Sequence, residues 1–213
     1  MMNRSYFAKN KIRHLFFILP AFLFLFFFAA CGFFGEVKRI GFTQTSDNMS
    51  PTIRANESFG CALNRFFDTD FKSDIKRGSV VVVAIQEAQI PQTGDIKPLP
   101  RRGPGDGKHV PPIAGHREFV YRIAGVGGDR VRIANGRVYV NDALFEQIPG
   151  NRDKSSIKDF AEVVVPPGEY FLLSDNLEDS FDSRFWKNMT LSEDKIICEV
   201  NYVIDGSGRS RNP

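Results

Sequence analysis

No cluster of histidine, cysteine and carboxylate side chains at metal-ligand spacing occurs anywhere along this sequence. Metal-assisted chemistry and structural zinc are therefore left without a ligand set, and neither a metal nor a cofactor is expected. An excess of one charge is also missing. The 28 lysines and arginines nearly balance the 25 acidic residues, and a formal net charge of +3, dispersed along the chain, is too small to argue for a nucleic-acid partner. No internal repeat is visible, so no repeat architecture is expected. Apart from one apolar run, helical periodicity is almost absent. Cysteine is scarce, with three residues, and tryptophan occurs once.

Phenylalanine is abundant instead, with 21 residues, many of them crowded between Leu15 and Phe34. That run of roughly 20 uncharged residues is long enough to cross a bilayer as a helix. Pro20 within it is tolerated in a spanning helix better than in a soluble one. Arg4, Lys9, Lys11, Arg13 and His14 form a cationic flank that favours the cytoplasmic side, so the remainder is expected to face outward from the inner membrane, beside lipid headgroups. A second reading starts from Phe28-Ala29-Ala30-Cys31-Gly32, which resembles the lipobox of bacterial lipoproteins and would anchor the chain through Cys31. Both readings tether an extracytoplasmic domain. Cys61 and Cys198 remain, either as two buried apolar side chains, the commoner case, or as a pair in an oxidising compartment. Sequence alone does not bring them together.

The expected organisation is a basic tail over residues 1–14, an anchor over 15–34, a β-domain over 36–205 and a flexible tail over 206–213. Within the β-domain, Ser58 to Phe67 reads as a strand, and Val80 to Ile85 as a buried strand entered from the Arg77-Gly78 turn. Residues 89–117 alternate proline with glycine, so neither helix nor sheet propagates and a long surface loop is expected. His116 would be a solvated side chain of that loop. Strands return at Tyr121 to Ala124 and at Arg130 to Ala134. Asn135-Gly136 then marks a hairpin leading to Val138 to Val140. Asn151 to Lys158 reads as a polar connector, and Val163 to Pro167 and Glu169 to Leu173 as strands around a Pro-Pro-Gly turn. The fold class is all-β, built of short antiparallel strands.

Four blocks carry the functional signal. They are Thr45-Ser46-Asp47-Asn48-Met49-Ser50-Pro51-Thr52, then Phe119 to Asp129 (FVYRIAGVGGD), then the hairpin Ile133 to Asn141, and finally Ser174 to Trp186 (SDNLEDSFDSRFW). In this order they resemble the blocks of type I signal peptidases: Ser-x-Ser-Met-x-Pro-Thr, Tyr-Val-Lys-Arg-x-x-Gly-x-x-Gly-Asp, the hairpin after it, and Gly-Asp-Asn-x-x-x-Ser-x-Asp-Ser-Arg-x-Trp. The last of these is the most specific. The resemblance implies a signal-peptidase-like β-barrel or sandwich behind one N-terminal transmembrane helix. It also implies an activity, removal of signal peptides from exported proteins by a serine nucleophile and a lysine base.

Both reactive positions differ from that pattern. Asn48 stands in the nucleophile's place, and a carboxamide has neither hydroxyl nor thiol with which to form an acyl-enzyme. Tyr121 stands in the base's place, and a neutral phenol is a poor proton acceptor at neutral pH. Losing both groups from such a site costs on the order of a millionfold in rate. Ser46 matches a position whose hydroxyl helps bind the oxyanion. As alternative nucleophiles, Ser46 and Ser50 would lie about 6 to 7 Å along an extended segment from Asn48. Met49, Pro51 and Ser183 are expected to support the site, Asp182 and Arg184 to form a charge-assisted pair, and Asp175, Asn176 and Ser180 to make turn-supporting hydrogen bonds. Trp186 reads as core or as a membrane-facing aromatic. The expectation that follows is a membrane-anchored member that binds signal peptides or other extended peptides without cutting them. Two alternatives stand beside it: an active peptidase using Ser46 or Ser50, and a structural envelope lipoprotein.

Overall fold

The computed structural model describes residues 38–63, 75–90, 99, 101–102, 114–149, 156–178 and 180–213, all within the compact unit Val37–Pro213. The basic tail, the anchor expected over 15–34 and the lipobox-like Cys31 lie outside the described residues, as do 64–74 and most of 91–113. Among the described residues no helix is long and apolar enough to cross a membrane.

The described residues form fourteen strands, and every pairing among them is antiparallel. In chain order they begin with β1 (Lys38–Thr43), β2 (Ser58–Leu63), β3 (Val80–Gln86), β4 (Arg101–Arg102), β5 (His116–Val126), β6 (Arg130–Ala134) and β7 (Arg137–Val140). They continue with β8 (Ala143–Leu144), β9 (Phe160–Val164), β10 (Glu169–Leu173), β11 (Leu191–Ser192), β12 (Ile196–Glu199), β13 (Tyr202–Ile204) and β14 (Ser210–Arg211). Three sheets result, ordered β14-β13-β2-β1-β4, β11-β10-β5-β3-β12 and β8-β7-β6-β9.

The second sheet is central, which explains the unbroken apolar run of β3. Val80 and Val82 join Phe42, Phe59 and Val120 in a core shared with the first sheet, while Val81, Val83 and Ile85 join Tyr121, Leu172 and Trp186 on the opposite face. A strand buried on both faces has no reason to alternate. The third sheet packs Val131, Ile133 and Val138 against Ala124, Phe171 and Leu173. Its β6–β7 hairpin turns at Asn135 and Gly136, with φ of 51° and 72°. Both residues adopt the left-handed conformation that a type I′ loop demands.

Four expectations change. The stretch 89–117 is not wholly surface loop: Ile90 and Leu99 are buried, and Leu99 donates its N–H to Glu118 O at 2.9 Å. Arg101 and Arg102 pair with Phe42 and Gly41 as β4. The open edge of β1 offers unpaired backbone groups, and a two-residue edge strand fits between prolines. His116, expected to be solvated, begins β5 and is half-buried, with Nδ1 3.0 Å from Ala114 O. Residues 206–213, read as a flexible tail, contain β14 paired on β13. Cys61 of β2 and Cys198 of β12, for which separate buried thiols were the favoured reading, form a disulfide with Cα atoms 6.0 Å apart. The two strands belong to facing sheets whose shared core holds both sulfurs.

Candidate active site

The connection from β1 to β2 carries Asn48. It is not extended but folded into successive turns: Ser50 N–H donates to Asp47 O at 3.0 Å and Ile53 N–H to Met49 O at 2.9 Å. Met49 and Ile53 are fully buried and anchor the loop to the first core. The ends of the loop are joined by Gln44 N–H to Glu57 O at 2.9 Å and Asn56 N–H to Gln44 O at 2.8 Å. The turns bring Ser46 beside Asn48, closer than an extended segment would allow. Asn48 Oδ1 accepts from Ser46 Oγ at 2.9 Å and from Gln44 Nε2 at 2.6 Å. Ser50 is half-buried, and Pro51, joined to it by a cis peptide bond, is exposed.

Tyr121 lies on β5 with its ring in the second core, edge-on to Trp186 at a centroid distance of 5.5 Å. Its hydroxyl donates to Phe181 O. Burial, reinforced by the negative charge of Asp182, pushes the phenol well above its ordinary range. It is thus a neutral donor at any physiological pH. Trp186 is 6% exposed, which settles it as core.

Strand alternation turns the next residue, Arg122, away from Tyr121. Arg122 meets Asp175 in a bidentate pair, Nε to Oδ1 and Nη2 to Oδ2, both 2.7 Å. It also donates to Gly78 O at 2.6 Å and to Thr52 Oγ1 at 3.2 Å, and the Thr52 hydroxyl donates to Asp175 Oδ2. Asp175, expected to support a local turn, is instead the partner of a cation 53 residues away.

The segment 174–186 links the two reactive positions. Asn176 donates its N–H to Asn48 O at 2.8 Å and Nδ2–H to Asp47 O at 3.3 Å. Ser180 Oγ donates to Leu177 O at 3.3 Å. Asp182 and Arg184 pair through Nε–Oδ1 at 2.7 Å and Nη2–Oδ2 at 2.8 Å, and Asp182 also accepts from Ser174 N–H at 3.2 Å. Ser183 Oγ accepts from Leu172 N–H at 2.9 Å, fixing the segment to β10. Among the described residues no hydrogen bond joins Asn48 to Tyr121 directly. Each is attached to this segment instead. Nor do the described residues hold a group of three or more side chains suited to a metal ion.

Sequence reasoning missed Gln44, Thr52 and the ion-pairing role of Arg122. The two-residue period of a strand separates the faces of Tyr121 and Arg122, but nothing in the sequence names Asp175 as the partner of Arg122.

A family model described as "Signal peptidase, peptidase S26" matches residues 11–204. Among curated proteins, "Signal peptidase I U" of Bacillus subtilis (strain 168) is 35% identical over 102 residues, covering 45% of this chain and 54% of its own length. "Probable signal peptidase I-2" of Synechocystis sp. is 35% identical over 71 residues, covering 33% of this chain and 32% of its own length. This chain therefore spans about half of the first relative and about a third of the second. The crystal structure of a signal peptidase I from Enterococcus faecalis V583 aligns with a TM-score of 0.38 and 15% identity, covering 60% of this chain and 97% of that one.

Proposed function

We propose, from the premise that this chain belongs to the peptidase S26 family of signal peptidases, that it is a membrane-anchored peptide-binding member in which the Ser-Lys reaction has been lost. Its ligands are the signal peptides of exported proteins or similar extended segments. Its anchor is the apolar run 15–34, and the β-domain faces outward. The observation that carries this reading is that both reactive positions are occupied by groups bonded into the fold. Asn48 Oδ1 takes two donors, and the Tyr121 hydroxyl is spent on Phe181 O. No group at either position can attack a carbonyl or accept a proton.

Binding needs neither. With Oδ1 committed, the N–H pair of the same carboxamide is what Asn48 has to offer a peptide carbonyl. An extended peptide laid beside it would gain main-chain hydrogen bonds of the strand-addition kind. Ser46 gives the alternative, an active peptidase, its one supporting contact, since its Oγ reaches Asn48. That hydroxyl donates to a neutral carboxamide, which does not carry a proton away.

The test uses the full chain in lipid vesicles with a precursor bearing a signal peptide, products read by mass spectrometry. The natural chain is expected to bind a signal-peptide analogue in preference to its scrambled counterpart and to cut nothing. Asn48→Ser/Tyr121→Lys is expected to regain cleavage, because burial would depress the new lysine's pKa towards a neutral amine. Cleavage by the natural chain, abolished in Ser46→Ala or Ser50→Ala, would establish the active reading. Equal binding of both peptides would remove the binding reading. The mass of the mature N-terminus separates an intact anchor from a lipidated Cys31.

A further inference from the structure

The loop that carries Asn48 is held at Thr52 by two arginines arriving from different sheets. Arg122 of β5 takes the hydroxyl, as described above. Arg211 of β14 takes the backbone: its Nη1 donates to Thr52 O at 2.6 Å, while Nη2 donates to Glu57 Oε2 at 2.6 Å. Glu57 lies at the neck of the loop with its side chain 9% exposed, and the same Oε2 accepts Arg54 N–H at 2.9 Å. Arg211 thus ties the middle of the loop to its end. A planar guanidinium can serve two acceptors in fixed directions at once, which a lysine ammonium on a flexible stem does poorly.

The neck continues to Asn48. Glu57 O accepts Gln44 N–H, Gln44 O accepts Asn56 N–H, and Gln44 Nε2 donates to Asn48 Oδ1. We infer that Arg211 is a positioning residue for Asn48: by closing the neck at Glu57 and the crown at Thr52, it sets Gln44 and so orients the carboxamide that would meet a peptide. The part of this inference that concerns a ligand rests on the peptide-binding reading above. The part that concerns Asn48 does not. Among the described residues β14 pairs only with β13 and over two residues, so Arg211 does more for the loop than its own strand requires.

The experiment compares the full chain in nanodiscs with Arg211→Gln, Arg211→Lys and Gln44→Ala. The readouts are the Asn48 side-chain amide resonances, amide hydrogen exchange, and binding of a signal-peptide analogue. In Arg211→Gln the Asn48 resonances are expected to move in the same direction as in Gln44→Ala, which removes the donor outright. Exchange at Ile53 and Asn56 is expected to rise about tenfold while Val82 and Val120 in the central sheet keep their protection. Peptide affinity is expected to fall about tenfold, with Arg211→Lys intermediate. Unmoved Asn48 resonances would overturn the inference, and so would a uniform rise in exchange, which marks plain loss of stability. If the natural chain binds no peptide, the binding reading falls, and the Asn48 resonances still decide the role of Arg211.

Discussion

Arg122 and Asp175 form a bidentate ion pair with both contacts at 2.7 Å and side chains 9% and 0% exposed. The pair joins β5 to the segment that reaches Asn48. It is further satisfied by Gly78 O and the Thr52 hydroxyl. In a buried setting the cost of desolvating two charges offsets most of their attraction, so the pair is worth more as a fixed joint than as a source of net stability.

Removing one partner strands the other charge. Arg122→Met or Asp175→Leu alone is expected to cost about 3–5 kcal/mol, whereas the double replacement should recover most of that loss. Urea unfolding followed through the single tryptophan, Trp186, measures all three. Additive losses in the double variant would show that the joint is not acting as a pair.

Tyr121 gives a pH signature at the base position. Its phenol is raised above 10.0 by burial and by Asp182, so the folded state holds the proton more tightly than the unfolded chain. The corresponding stability is complete below pH 10 and declines as pH rises from there towards the folded-state value. Tyr121→Phe is expected to remove this alkaline decline. It should also cost about 1 kcal/mol at neutral pH by leaving Phe181 O without its donor. The difference between the unfolding curves of the two proteins from pH 7 to 11 isolates the effect from other titrating groups.

The strands were legible where local chemistry determined them. The β-branched run of β3 and the Asn135-Gly136 turn needed no tertiary information. Asn48 and Tyr121 could be located by their blocks, because neighbouring residues in those blocks keep their order. What sequence did not disclose depends on distant partners. Leu99 is one apolar residue among prolines, and only the open edge of β1 gives its surroundings a strand. Asp175 looks like a turn residue until Arg122 is placed opposite it. The turns of residues 46–53 depend on Met49 and Ile53 finding a core, so reading that segment as extended misplaced Ser46 relative to Asn48. Arg211 sits among glycine, serine and arginine, a composition that signals a tail, and its acceptors lie more than 150 residues away.

Asp205 makes the β13–β14 turn sensitive to acid. Its carboxylate is held down to about 2, chiefly by the Ser207 hydroxyl and then by the Arg209 backbone N–H. A depressed carboxylate stabilises the folded state above its ordinary value of 3.8, and that contribution is lost as pH falls towards 2. The turn delivers Arg211, so its protection of Asn56 should weaken over the same interval. Asp205→Asn is expected to flatten this part of the acid dependence, measured as the difference in Asn56 exchange between natural and variant chains. Identical acid profiles would place the titration elsewhere.

The Cys61–Cys198 disulfide closes a sequence separation of 137 residues and joins the sheet that carries the Asn48 loop to the sheet that carries Tyr121. A cross-link over so long a segment restricts the unfolded chain strongly, and its loss is expected to cost about 2–5 kcal/mol. The two sulfurs share a core with Val80, Val82 and Val120, so reduction should leave two buried thiols that still pack as apolar side chains. The reduced domain is therefore expected to keep its fold while its unfolding midpoint falls. Reductant should lower the midpoint of the natural chain and leave that of Cys61→Ala/Cys198→Ala unchanged. Peptide mapping without reductant, on protein recovered from the membrane fraction, should show residues 61 and 198 linked, as an oxidising compartment permits. Free thiols at both positions in that material would place the domain on the reducing side and overturn the proposed outward-facing topology.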